Sequence, residues 1–154
     1  MHPSTNLGRR RLLGTAAAAA TAAFFGTSGR VFAAMEDVDK AIADFGGGAE
    51  AADGTITLTT PEIAENGNSV PVAFSVESPM TEESHVESVM ILAADNPSAG
   101  VATFHFTPRS GEAKASTRMR LARTQDVVAV AKMSDGSLHR ASANVKVTIG
   151  GCGG

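Results

Sequence analysis

A period of two in the placement of apolar residues is the feature of this sequence that most restricts its fold. The alternation is clearest over residues 70–76 and 141–149. Five further segments are compatible with strands: 56–58, 86–93, 102–106, 118–121 and 127–133. A strand with one buried face shows such alternation, whereas the apolar runs at 86–93 and 127–133 are typical of central strands covered on both faces. The sequence therefore predicts about seven β-strands.

Turn-forming residues separate these strands. Clusters of Asn, Asp, Gly, Pro and Ser occur at 65–68, 95–98, 108–111 and 134–137. Short strands at this spacing favour an all-β fold, an immunoglobulin-like antiparallel sandwich. The Cys–Trp–Cys core of true immunoglobulin domains is absent, because the chain has one Cys and no Trp. The prediction of a sandwich therefore depends on the pattern of strands and turns alone.

A short amphipathic helix is predicted before the strands. Met35, Val38, Ile42 and Phe45 recur at spacings of three and four residues, and the triple glycine 46–48 ends the pattern. We expect this helix to pack against the sandwich. Residues 34–149 are thus predicted to form one domain, which suits the size of the chain.

The first 33 residues have the features of an export signal. The basic cluster Arg9-Arg10-Arg11 precedes a weakly apolar run from Leu12 to Phe25, and residues 31–33 form a small-residue cleavage pattern. The apolar run is too short to span a bilayer, so no membrane anchor is expected. The paired arginines and low hydrophobicity resemble a twin-arginine (Tat) signal. We therefore expect residues 1–33 to be removed and the protein to reach the periplasm already folded.

Charge argues against nucleic acid as a partner. The whole chain has a net charge of −3, and removing the four arginines of the leader changes it to −7. An acidic domain lacks the cations that hold phosphate backbones. The absence of Trp and Tyr also leaves few platforms for base stacking.

The polar residues give little support for an enzymatic active site. His85, His105 and His139 have no partner at the spacing of a metal site or a catalytic triad. We expect them to be structural or surface residues. The arginines at 118, 120 and 123 could attract an anion, although the solvated face of one strand explains them more simply. No metal or cofactor site is predicted.

The C-terminus carries the one reactive group that stands out. The chain ends in Gly150, Gly151, Cys152, Gly153 and Gly154. Glycines disfavour a fixed conformation, which predicts a narrow, mobile arm over residues 150–154 with a reach of roughly 10 Å from Ile149 to Cys152. An exposed thiol is accessible as a reactive thiolate. We expect large residues at Gly150 and Gly151 to leave the sandwich folded but to hinder entry of the arm into the clefts of other proteins.

Several segments resemble one family. The ending at 147–154 is similar to the tail of the SoxY family, the carrier subunits of the sulfur-oxidising (Sox) system. Similar segments also occur at 61–67, 70–72, 96–97, 117–122 and 133–137. The resemblance covers essentially the whole chain after the leader. It implies an immunoglobulin-like fold and a covalent carrier rather than an enzyme.

The resemblance also implies a reaction cycle and partners. A haem enzyme would join thiosulfate to Cys152 as a cysteine S-thiosulfonate, and a hydrolase would release sulfate and leave a persulfide. A sulfur dehydrogenase would oxidise that sulfur further where it is present. The carrier would form a heterodimer with the Z subunit of the system.

Two other functions remain open at this point. Cys152 could form an intermolecular disulfide in a purely structural module. Alternatively, the terminal carboxylate of Gly154 could carry sulfur as a thiocarboxylate, but that chemistry needs ATP-dependent adenylation and conflicts with export.

Overall fold

The computed structural model describes residues 29–151, with side chains from Glu36 onward. The chain divides into two units, Met1–Phe32 and Ala33–Gly154. Almost all of the first unit lies outside the described residues, as do Cys152, Gly153 and Gly154, so the following description concerns the second unit. The predicted leader is therefore outside the described part of the chain apart from its last five residues.

The described residues form one α-helix, nine β-strands and a short 3-10 helix at Pro108–Ser110. The helix α1 spans Gly29–Gly46. The strands are β1 (Ala51–Asp53), β2 (Ile56–Thr59), β3 (Ile63–Asn66), β4 (Val70–Val76), β5 (Val86–Ala93), β6 (Gly100–His105), β7 (Ala113–Met119), β8 (Gln125–Met133) and β9 (Leu138–Ile149).

The strands form two sheets. The larger has the order β1-β9-β8-β5-β6, with β3 pairing to another part of β9, and the smaller has the order β2-β4-β7. All pairs are antiparallel except β1–β9 and β3–β9. The predicted all-β sandwich is confirmed. The seven predicted strands are all present, and β1 and β3 are additional because strands of three and four residues are too short to show a recognisable alternation.

The main core lies between the two sheets. Val70, Val72, Phe74 and Val76 point inward from β4, as their alternation predicted, because neighbouring residues of a strand face opposite sides. The ring of Phe74 packs edge-on against Phe104 and Phe106, with centroids 5.3 and 6.2 Å apart. These contacts join the smaller sheet to the larger one.

A second core lies under α1, on the other face of the larger sheet. Val38 and Ile42 are buried against Leu92, Val128 and Leu138. This explains why β5 and β8 are apolar on both faces. The helix begins at Gly29, six residues before the first residue of the predicted pattern, since residues 30–35 contain no Gly or Pro to stop it. No helix in the described part of the chain is both long and apolar enough to cross a membrane.

Candidate functional site

Backbone hydrogen bonds hold the residues that precede Cys152 against the sandwich. The N–H of Gly151 donates to the carbonyl oxygen of Leu121 at 2.9 Å. The N–H of Gly67 donates to the carbonyl oxygen of Ile149 at 2.7 Å. The N–H of Leu121 donates to the carbonyl oxygen of Gly67 at 2.8 Å. Three segments thus meet here: the end of β9, the β3–β4 turn and the β7–β8 loop. We call this meeting point the arm base, defined by Gly67, Leu121, Gly150 and Gly151.

The glycines of the arm base lie where a side chain has no room. A Cβ on Gly67 would lie 2.6 Å from the nitrogen of Gly151 and still closer to the carbonyl oxygen of Leu121. A Cβ on Gly151 would lie 2.8 Å from the carbonyl oxygen of Gly67, and one on Gly150 would collide with the carbonyl oxygen of Ala122. Since these obstacles are backbone atoms, they cannot move aside as a flexible side chain would. Close approach of backbones therefore requires glycine at all three positions.

This packing changes the expected role of Gly150 and Gly151. Their sequence predicts a free tether, whereas the structure holds both residues against the body. The expectation that large residues here leave the sandwich undisturbed is therefore revised, because Val at either position would collide with the backbone of a neighbouring segment. When Gly150 and Gly151 are held in the arm base, Cys152 is one residue from the last held residue, and not three residues from it as the sequence predicts. The predicted reach of the arm then shortens to roughly 3.5 Å of chain.

Two amide side chains, half-buried Asn96 and buried Gln125, support the segment that bonds Gly151. The Oδ1 of Asn96 accepts hydrogen bonds from the N–H of Ala122 at 3.0 Å and from Nε2 of Gln125 at 2.9 Å. The Nδ2 of Asn96 donates to the carbonyl oxygen of Arg120 at 2.8 Å. Gln125, which is 3% exposed, also bonds the carbonyl oxygen of Arg123 and the N–H of Asp95. The two amides therefore fix the backbone on both sides of Leu121.

The three arginines do not share one strand, contrary to the simpler expectation. Arg118 lies on β7, and its guanidinium donates to the carbonyl and hydroxyl oxygens of Ser69 at 3.4 and 3.3 Å. Strand β7 ends at Met119, so Arg120 and Arg123 belong to the β7–β8 loop. Both are exposed beside the arm base.

The three histidines stay separate. His85 precedes β5, and its Nδ1 lies 3.1 Å from the carbonyl oxygen of Thr81. His105 is exposed at the end of β6. His139 lies on β9, and its Nδ1 is buried without a hydrogen-bond partner in the structure. Within residues 29–151 no three His, Cys, Asp or Glu side chains come together as metal ligands would.

A depression lies on the outer face of the smaller sheet. Its volume is about 600 Å³, and its walls include Thr59, Pro71, Ala73, Ser116 and Arg118. Its lining contains one titratable side chain, that of Arg118, so it lacks a pair of groups for acid–base chemistry. The reactive group of this chain is therefore to be sought at the arm and not in this depression.

Sequence reasoning missed the supporting residues of the arm base. Gly67, Asn96 and Leu121 lie in segments that resemble the SoxY family, but only Cys152 and its four neighbouring glycines were given a role. The roles of these three residues depend on contacts between segments that are at least 24 residues apart in the sequence, such as Asn96 with Arg120 and Ala122. No local pattern reports such contacts.

Comparison with known proteins connects this site to one family. A sequence profile of the family described as sulfur oxidation protein SoxY matches residues 42–152, so the match ends on the cysteine. A solved structure of the sulfur carrier protein SoxY from Chlorobium limicola f thiosulfatophilum is 35% identical, with a TM-score of 0.64. The match covers 74% of this chain and 94% of that one. Comparison with curated proteins gave no significant match.

More distant structures share the fold alone. A superoxide reductase (neelaredoxin) from Ignicoccus hospitalis is 17% identical with a TM-score of 0.55, covering 60% of this chain and 79% of that one. A superoxide reductase from Nanoarchaeum equitans is 12% identical with a TM-score of 0.52, covering 62% and 99%. Both are too dissimilar in sequence to indicate activity. The profile match and the 35% identical structure, by contrast, show that this chain belongs to the SoxY family of sulfur oxidation proteins.

Proposed function

We propose that this protein is a covalent carrier of sulfur intermediates, which it holds on Cys152. The observation that carries the proposal is the extent of the family match, which runs through the sandwich to the only cysteine of the chain. The 35% identical structure is itself described as a sulfur carrier protein. The docking of Gly151 on Leu121 adds a physical reason, because it fixes the point from which the thiol is presented.

The chemistry needs only the thiolate from this chain. Oxidative coupling joins the sulfur of Cys152 to thiosulfate and transfers two electrons to a haem enzyme, which gives a cysteine S-thiosulfonate. Hydrolysis then releases the terminal sulfone as sulfate and leaves a persulfide on Cys152. A thiol suits this role because it can form a sulfur–sulfur bond and release it again. The carrier presents the cargo, and partner enzymes supply the catalysis.

The proposed partners are the enzymes that act on the cargo and a second subunit of the carrier. A haem enzyme, a sulfate-releasing hydrolase and a sulfur dehydrogenase would each receive the arm in turn. The body would form a heterodimer with the Z subunit of the Sox carrier. Open sheet edges, such as that of β6, are consistent with pairing to another chain.

The proposed location is the periplasm, reached through the Tat pathway. Its support is the sequence of residues 1–33, which lies almost wholly outside the described residues. If the leader is removed as proposed, N-terminal sequencing of the protein from the periplasm will begin at Ala34. Recovery there of protein that still carries the leader would contradict the assignment.

The test of function is a comparison of Cys152→Ser with the natural protein in thiosulfate-oxidising cells. Serine keeps the size of the side chain but cannot form the sulfur–sulfur bond. We expect the variant to reach normal levels, to bind its partner subunit and to support no thiosulfate-dependent turnover. If Cys152 instead serves an intermolecular disulfide, the variant will lose a covalent dimer and keep turnover.

A further inference from the structure

The contacts of the arm base show how residues 147–151 lie against the β7–β8 loop. The N–H of Val147 donates to Oγ1 of Thr124 at 3.0 Å, Gly150 lies against the carbonyl oxygen of Ala122, and Gly151 bonds Leu121. Residues 147–151 therefore run antiparallel to residues 121–124 of the β7–β8 loop. Gly151, the residue joined to Cys152, is thus bonded to Leu121, which lies between Arg120 and Arg123 in the sequence.

Two arginines of that loop form no ion pair with the described residues. Arg120 and Arg123 are exposed, and within residues 36–151 neither guanidinium lies within 4.0 Å of a carboxylate. The acidic groups of the neighbouring elements, Glu65 and Asp95, form no ion pair with them or with any other described residue. The chain after the leader has a net charge of −7, so two cations without an ion-pair partner in the described residues, close to the residue that bonds Gly151, form a local exception.

The backbone that carries these arginines is fixed. The carbonyl oxygens of Arg120 and Arg123 accept hydrogen bonds from the side-chain amides of Asn96 and Gln125. Leu121, between them, is completely buried. Because this backbone is fixed, the two guanidinium groups stay near one place. Their side chains can still adapt to a ligand.

We propose that Arg120 and Arg123 form an anion site for the sulfonate end of the cargo on Cys152. This inference depends on the proposed function, because it concerns the cysteine S-thiosulfonate. That adduct ends in a charged sulfonate, and guanidinium groups bind such oxyanions with paired hydrogen bonds. With Gly151 docked, Cys152 is roughly 3.5 Å of chain from the arm base, so the sulfonate lies within the length of an arginine side chain. Release of sulfate removes the sulfonate oxygens and with them the paired hydrogen bonds to the guanidinium groups.

The test uses the purified full chain after leader removal and two probes that react with its thiol. Tetrathionate is a dianion, from which the thiolate of Cys152 displaces thiosulfate and itself becomes the S-thiosulfonate. Dithiodipyridine is neutral, and the same thiolate displaces one thiopyridone to form a mixed disulfide. The rate constant for tetrathionate divided by that for dithiodipyridine measures the preference of the site for an anion. A change in the nucleophilicity of the thiol affects both rate constants and therefore cancels in the ratio.

The decisive variant is Arg120→Ala with Arg123→Ala, matched by Arg109→Ala with Lys114→Ala. The matched pair removes the same charge, but Arg109 and Lys114 lie toward the far end of β7 from the arm base. We expect the first variant to react with tetrathionate about three- to tenfold more slowly and with dithiodipyridine within about twofold of the natural protein. The preference for tetrathionate in the natural protein should also fall as salt is added.

Equal ratios in the two variants would overturn the anion site. Failure of the proposed function gives a different result, since Cys152 would then carry no sulfur in cells while the charge preference of the purified protein persisted. A preference that survives in the matched variant and disappears in the Arg120 and Arg123 variant supports the site.

Discussion

The hydrogen bond from the N–H of Gly151 to the carbonyl oxygen of Leu121, 2.9 Å long, joins the residue before the thiol to the core of the sandwich. Leu121 is completely buried, and its own N–H bonds Gly67. The position of the arm is thus coupled to packing inside the protein. For the residue before Cys152 to leave the body of the protein, this bond must break.

The first prediction concerns Gly67. Substitution by Ala should separate the three segments of the arm base, because the added Cβ would meet the nitrogen of Gly151 and the carbonyl oxygen of Leu121. We expect a loss of about 1–3 kcal/mol in the free energy of unfolding and faster hydrogen exchange at Gly151. Gly100→Ala is the matched control, since no atom lies within 4 Å of its Cβ position. Equal stabilities of the two variants would contradict the packing.

The second prediction concerns Gly150 and Gly151. The double substitution by Val should undock the arm base, because both side chains would collide with backbone atoms of Ala122 and Gly67. We expect faster hydrogen exchange at Leu121 and easier proteolysis after Ile149. Gly153→Val with Gly154→Val is the comparison, since these residues follow Cys152 and should leave exchange at Leu121 unchanged. Protection of Leu121 in the first variant equal to that in the natural protein would argue for the free tether that the sequence predicts.

The third prediction concerns Asn96. Substitution by Ala leaves the N–H of Ala122 and the carbonyl oxygen of Arg120 without their side-chain partners. Loss of these bonds should cost about 1–3 kcal/mol in the free energy of unfolding, as measured with urea. Asn96→Asp keeps the acceptor and loses the donor, so it should separate the two contributions. If Asn96→Ala is as stable as the natural protein, the amide pair does not hold this loop.

The fourth prediction concerns pH and uses Asp135, in the β8–β9 turn at the other end of β9 from the arm. Hydrogen bonds from the hydroxyl and then the backbone N–H of Ser137 lower the pKa of Asp135 below its usual 3.8. A lowered pKa in the folded state stabilises the fold above pH 3.8, and this contribution disappears as the pH falls through the folded-state pKa.

The measurement is the difference in unfolding free energy between the natural protein and Asp135→Asn as a function of pH. We expect a constant difference above the usual pKa that shrinks at lower pH. Ser137→Ala should reduce the effect by removing one donor. A difference that does not change in acid would show that this carboxylate is not stabilised by folding.

Sequence patterns predicted more of the fold than of the site. The alternation over 70–76 predicted the inward face of β4 because burial of one face of a strand is a local property. The same reasoning placed Ile149 with the inward residues of β9, yet its side chain is 66% exposed. Val147, on the same face, still packs against the main core, whereas Ile149 is the last residue of β9 and pairs with the exposed end of β3.

The glycines at the arm show that composition alone does not predict the conformation of a segment. Both a free tether and a close contact of backbones select glycine, for opposite reasons: one needs conformational freedom and the other needs space. The sequence of residues 150–154 is compatible with either. Only the positions of Gly67 and Ala122 distinguish them, and those residues are more than 25 positions away.

The most direct test of the carrier function is the intact mass of the protein purified from thiosulfate-grown cells, before and after treatment with a reductant. We expect species heavier than the unmodified chain by thiosulfate-derived sulfur, with the added mass on Cys152 and removed by the reductant. Protein of unmodified mass throughout, or a mass of two chains joined by a disulfide as the only modified form, would contradict the account.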